Sequence, residues 1–220
     1  PFDKTSVHFL EAMDVPAYKI ASFEITDIPL IEYVASKMKP VIISTGIATY
    51  EDIEGAIAAC KRVGNDQIAL FKCTSSYPAP VALANLRTIP DMRERFKLPV
   101  GLSDHTMSSS VAIASVALGA RILEKHFILD RGIGGPDAAF SMNKEEFSEM
   151  VRCVREVEMA LGKPTYELTE KVRNNRKFAR SLFVAQDMYA GDTVTEENVR
   201  SVRPSDGPVS YTHLRAHETD

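Results

Sequence analysis

Two periodicities alternate along this chain. Short apolar, β-branched runs at residues 17–22, 40–44, 67–73, 99–102 and 121–127 read as buried strands. Between them, residues 27–37, 49–63, 108–118 and 143–161 carry apolar side chains at three- and four-residue steps, as helices with one buried face do. Thr49 with Asp52, and Asn143 with Glu146, have the spacing of helix-opening caps, while Gly64 and Gly162 sit where helices stop. This alternation predicts an α/β fold with a parallel sheet. Five units without a glycine-rich nucleotide loop favour part of a (β/α)₈ TIM barrel, about strands 4–8, over a dinucleotide-binding fold. A closed barrel needs eight strands, so roughly three would precede Pro1.

The texture changes after Gly162. Residues 163–177 are charged and interrupted by Pro164, which reads as a helical linker. Residues 178–208 then open a small domain, with a strand at 181–185, a turn at Ala190-Gly191-Asp192 and a capped turn at Thr195-Glu196-Glu197-Asn198. The division expected is therefore a partial barrel over 1–162, a linker, the start of a second domain, and a tail over 209–220 that abandons the preceding pattern. Residues 209–219 resemble the translated form of a sequencing-library adapter, so His213 and His217 are set aside from the chemistry. With Pro1 in place of an initiator Met, both ends are expected to be cut.

Composition removes several classes of function. Among 220 residues, 45% are hydrophobic and 25% charged, an ordinary globular balance. A net charge of −4, with no cluster of Lys and Arg interleaved with aromatics, argues against nucleic acid as a partner. No apolar run approaches the roughly 20 residues of a membrane-spanning helix and no signal peptide opens the chain, so a soluble, cytoplasmic protein is expected. Cys60, Cys73 and Cys153 are odd in number and lack metal-type spacing, which suggests free thiols that serve packing.

The chemistry gathers where the strands end, the face that carries the active site in a parallel barrel. His105 and His126 follow consecutive strands, and adjacent strands lie about 5 Å apart, so the two imidazoles can converge on one divalent ion with positions left for water and substrate. Taken singly, each His would sooner hydrogen-bond a loop; the metal reading comes from having two at matching strand ends. Lys19 would point into the mouth, where an anion suits it, or reach out to solvent. Ser22, Ser44, Ser75 and Ser103 offer hydroxyls from four strands, as a phosphate or carboxylate cradle would, although any one of them could cap a helix. Glu24, ranked above Glu124, could handle protons or accept sugar hydroxyls, or either carboxylate could pair with a lysine. The glycines of Gly132-Ile133-Gly134-Gly135-Pro136-Asp137 would let Asp137 fold back over the mouth, or make a plain surface turn.

The order of these segments carries a resemblance. Ala17-Tyr18-Lys19-Ile20-Ala21-Ser22-Phe23-Glu24, Ser44-Thr45-Gly46, Lys72-Cys73-Thr74-Ser75-Ser76-Tyr77-Pro78, Gly101-Leu102-Ser103-Asp104-His105 and Glu124-Lys125-His126-Phe127 resemble the sialic acid synthase family. Phe178-Ala179-Arg180-Ser181-Leu182 and Ser201-Val202-Arg203-Pro204 look like the opening of that family's antifreeze-like (SAF) domain. Ala-Ser-Phe-Glu at 21–24 leans towards the pseudaminic branch, with N-acetylneuraminate and legionaminate synthases as siblings. The resemblance implies a transferase of nonulosonic acid biosynthesis that condenses phosphoenolpyruvate with an amino-sugar aldose, here 2,4-diacetamido-2,4,6-trideoxy-altrose. It implies a divalent metal (Mn²⁺, Mg²⁺ or Co²⁺) on His105 and His126, and phosphoenolpyruvate held by Lys19, Ser22, Ser44, Ser75 and Ser103. Glu24, Tyr77 and Asp137 would face the sugar, with Glu24 and Lys19 as the catalytic pair. Arg203 would reach into a partner subunit of a domain-swapped homodimer. A chain lacking the first strands would be inactive by itself. Readings from other classes are a metal-dependent aldolase on the same fold and a barrel that binds sugar without chemistry.

Overall fold

The computed structural model describes residues 1–203; the end of the expected second domain and the whole tail reading lie outside these residues. The chain divides into two compact units, the second beginning at Lys163.

In the first unit, β1 (Tyr18–Ile20), β2 (Val41–Ser44), β3 (Ile68–Cys73), β4 (Val100–Asp104) and β5 (Leu123–Lys125) form one sheet in that order, and every neighbouring pair is parallel. A doubly wound sheet reverses its strand order at a switch point; here each strand adds beside the last, giving a curled half-barrel. The helices are α1 (Lys4–Ala12), α2 (Ile28–Ala35), α3 (Tyr50–Arg62), α4 (Thr88–Phe96), α5 (Ser110–Ala117) and α6 (Lys144–Leu161). Both anticipated caps are present as reciprocal boxes, Thr49 with Asp52 opening α3 and Asn143 with Glu146 opening α6.

Successive residues of a strand face opposite sides, and burial follows that parity. Tyr18, Ile20, Val41, Ile43, Ile68, Leu70, Val100 and Leu102 form the helix-facing side of the sheet. They pack with Val7, Leu30, Ile31, Val34, Ile57, Ile89 and Met92 into the main core. The opposite, inner face carries Lys19, Ser44, Phe71, Cys73, Ser103 and Glu124, joined across strands by the register Ser44↔Phe71, Phe71↔Gly101, Cys73↔Ser103 and Ser103↔Glu124. Gly101 is what lets a ring lie there. A Cβ at that position would come within 2.5 Å of the Phe71 ring.

α1 and α4 were not anticipated, and β4 runs two residues beyond the expected strand, through Ser103 and Asp104. In the second unit, α7 (Glu170–Asn175) precedes β6 (Ser181–Val184) and β7 (Val199–Val202), which pair antiparallel. Thr195 Oγ1 accepts from the Glu197 and Asn198 amides in the turn before β7. No helix among the described residues is long and apolar enough to cross a membrane.

Candidate active site

The inner-face residues form three linked groups at the C-terminal ends of the strands. The first surrounds Gly46, just after β2. Its amide donates to Ser22 Oγ at 3.1 Å. A Cβ on Gly46 would lie 2.1 Å from Ser75 Oγ, 2.7 Å from Ser22 Oγ and 3.1 Å from Cys73 Sγ, so only a bare glycine lets two hydroxyls and a thiol gather there. Ser44 is 2% exposed and its Oγ has no hydrogen-bond partner. Glu24 Oε2, in the 3₁₀ turn that follows β1, is also buried without a partner. A buried polar atom left unpaired costs about 1–3 kcal/mol, and such atoms at a concave strand-end face are suited to a polar ligand.

The second group joins β1, β4 and β5. Lys19 Nζ stands 3.4 Å from Glu124 Oε1, and Ser103 Oγ donates to the same oxygen at 2.7 Å. The Lys19 ammonium also lies 5.5 Å from the centroid of the Phe71 ring. With Glu124 about two-fifths exposed, this ion pair is partly open to water and can be rearranged by an incoming anion.

The third group contains both histidines, whose ring centroids are 5.2 Å apart. His105 Nδ1 lies 3.0 Å from the Thr74 carbonyl, which can only accept, so Nδ1 donates and, in the neutral ring, Nε2 carries the lone pair. His126 Nδ1 is 3.4 Å from Asp137 Oδ2. Tyr77 packs 4.2 Å from His105, and Phe140 packs 5.0 Å from His126, centroid to centroid. Burial, reinforced by the charge of His105, lowers the pKa of His126 and favours its neutral form. Burial acts the same way on His105, but its bonds to Cys73 and the Thr74 carbonyl outweigh it and raise that pKa. Burial, with the charges of Cys73, Glu124 and Asp137, raises the Tyr77 pKa and keeps the phenol protonated.

Once deprotonated, two imidazoles, one with Nδ1 fixed by a carbonyl and the other beside a carboxylate, are the donor set and outer support that a borderline divalent ion takes. Among the described residues no three His, Cys, Asp or Glu side chains gather as a metal-holding group. The fit of a divalent ion thus rests on the two imidazoles alone, and such an ion would have its other positions open.

Lys19, Ser22, Ser44, Ser75, Ser103, His105, His126 and Tyr77 thus share one face, and Asp137 is drawn onto His126. Arg203 is exposed in the second unit. Sequence reasoning missed three participants. Cys73, expected to serve packing, sits 3.9 Å from His105 Nδ1 on the inner face. Burial disfavours its thiolate, yet its bonds to His105 and Ser22 prevail and lower its pKa. Its strand parity, two residues before Ser75, was the available signal. Gly46 lay within a quoted segment, but its role needs three-dimensional neighbours. Phe140 lies far along a loop and carried no local signal.

A curled parallel sheet with anion-suited side chains and paired imidazoles at its strand ends is the architecture of barrel enzymes that work on small anionic substrates. The model of the NeuB family matches residues 1–166, and the chain belongs to that family. It is 46% identical over 216 residues to the pseudaminic acid synthase of Campylobacter jejuni, covering 97% of this chain and 63% of that protein. It is 43% identical over 208 residues to the pseudaminic acid synthase of Helicobacter pylori, covering 94% of this chain and 61% of that one. Among solved structures, an N-acetylneuraminic acid synthetase from Leptospira borgpetersenii in complex with citrate superposes with a TM-score of 0.74 at 32% identity. That match covers 80% of this chain and 61% of the synthetase. The chain thus spans less than two thirds of the length of these relatives.

Proposed function

We propose that a protein carrying this chain at the length of its relatives is a pseudaminic acid synthase. It would join phosphoenolpyruvate to 2,4-diacetamido-2,4,6-trideoxy-altrose and release phosphate. The observation that carries this reading is the side-by-side placement of His105 and His126 next to the hydroxyl cluster around Gly46. The sugar assignment rests on the two pseudaminic acid synthases at 46% and 43% identity.

In this reading Lys19 leaves Glu124 to meet the phosphoenolpyruvate anion, and Ser22, Ser44, Ser75 and Ser103 hold its oxygens, with the unpaired Ser44 Oγ gaining a partner. A divalent ion (Mn²⁺, Mg²⁺ or Co²⁺) on His105 and His126 would supply Lewis-acid polarisation of the sugar aldehyde. Tyr77, its phenol kept protonated, and Asp137 orient the sugar beside them. C3 of phosphoenolpyruvate bonds to the aldehyde carbon, water adds at C2, and the C2–O bond breaks to free phosphate. Glu24, with an unpaired buried oxygen, handles a proton. Residues 178–203 would belong to an antifreeze-like module, placing Arg203 in a partner subunit's barrel within a homodimer.

The likeness to an N-acetylneuraminic acid synthetase supports a second reading in which N-acetylmannosamine is the aldose. Phosphate release measured with each sugar separates the two. Preference for the trideoxy-altrose sugar is expected; preference for N-acetylmannosamine would move the substrate and keep the site, and silence with both would overturn the synthase reading.

A further inference from the structure

Directly behind the histidine pair lies a polar pair of another kind. Asp104 and Lys125 are register partners at the ends of β4 and β5. They point to the helix side of the sheet, while their chain neighbours His105 and His126 follow the inner face. Their side chains are 3% and 2% exposed, and no other ion pair among the described residues is sealed on both sides.

Lys125 Nζ donates to Asp104 Oδ2 at 2.7 Å, to the Thr106 carbonyl at 2.6 Å and to the Ser108 carbonyl at 3.0 Å, which uses all three of its protons. Asp104 Oδ1 accepts from the Thr106 amide at 2.9 Å. One cation thereby ties the end of β5 to the end of β4 and to the loop that leads into α5. Any slip of one strand end against the other would strand a charge in the core, so the arrangement is all-or-none.

We propose that Asp104 and Lys125 are positioning residues that set the spacing of His105 and His126, and through it the affinity of the site for a divalent ion. This rests on the reading of His105 and His126 as ligands. The alternation of side chains makes the connection: a displacement of Asp104 relative to Lys125 moves the next residue of each strand by the same amount on the opposite face. Two imidazoles must meet one ion from both strands, so the pair that fixes the strand ends fixes whether they can.

The test is Mn²⁺ binding, followed by electron paramagnetic resonance, in a protein of the relatives' full length. Asp104→Asn keeps the side-chain shape and the Thr106 bond but removes the charge. The double variant Asp104→Leu/Lys125→Met removes both charges and leaves no buried ion unpaired. His105→Ala serves as the control, and metal-free thermal melts report the fold of each. Both variants are expected to bind Mn²⁺ about 10–100-fold more weakly, the usual effect of losing support behind a metal ligand, with the double variant melting close to the parent. Parent-like Mn²⁺ affinity in the folded double variant or in Asp104→Asn would overturn the positioning role while leaving the ligands intact. A parent that binds no Mn²⁺, or a His105→Ala variant that binds it equally well, would instead overturn the ligand reading, and the inference with it.

Discussion

On the outer side of β4 and β5, Asp104 and Lys125 satisfy one another and the surrounding backbone and are closed to water. One residue further along each strand, on the inner side, His105 and His126 share the strand-end face with Ser44 of β2, whose buried hydroxyl has no partner. The ends of β4 and β5 thus carry a finished polar network on one side, while the inner face they share with β2 holds an unfinished one. Buried polar groups are normally paired, so the completed side reads as structure and the incomplete side as a place for a ligand. Removing a member of the first should cost stability and, through the strand ends, ion binding; removing a member of the second should act mainly on binding.

The largest effect should come from the histidines. His105→Ala or His126→Ala should weaken divalent-ion binding by more than about 100-fold, beyond the loss of a mere outer partner, while a cooperative metal-free melt is kept. Asp104→Ala should add a loss of stability to weakened ion binding, because it leaves Lys125 buried without its counter-charge. Breaking a sealed pair in this way costs about 3–5 kcal/mol, which urea unfolding would read. Gly46→Ala should push Ser22 and Ser75 apart and raise the KM for phosphoenolpyruvate about tenfold or more, because a displacement of about 1 Å is enough to spoil a positioned site.

A smaller effect is a split in titration. In metal-free protein, proton NMR should find His105 titrating above 6.5 and His126 below it, the reverse order contradicting the geometry. His105 gains partners in the fold, so its contribution to stability is complete below 6.5 and fades as pH rises through its raised pKa. The smallest change should be Asn143→Ala, which removes the α6 cap at a cost of about 1 kcal/mol and leaves ligand binding alone.

How much of this was legible in the sequence depended on whether the signal was local. The caps at Thr49 and Asn143 and the five strands announce themselves within a few residues. α4 did not, because Pro90 lies in its first turn, charged Asp91, Arg93, Glu94 and Arg95 crowd it, and only Ile89 and Met92 are buried. β4 seemed to end at Leu102 since Ser103 and Asp104 are polar; their burial is repaid by Glu124 and Lys125, contributed from the next strand. The candidate site followed the same rule. Strand-end histidines and serines stood out by position, while the reasons for Gly46, Cys73 and Phe140 are contacts between distant segments.

The most direct test of the inner face as a metal-assisted phosphoenolpyruvate site is phosphate release by a protein of the relatives' full length. It should be run with the trideoxy-altrose sugar before chelation, after it, and after Mn²⁺ is restored. The account predicts release that stops on chelation, returns with Mn²⁺ and is absent in His105→Ala at every stage. Release that is indifferent to chelator and to His105 would contradict it.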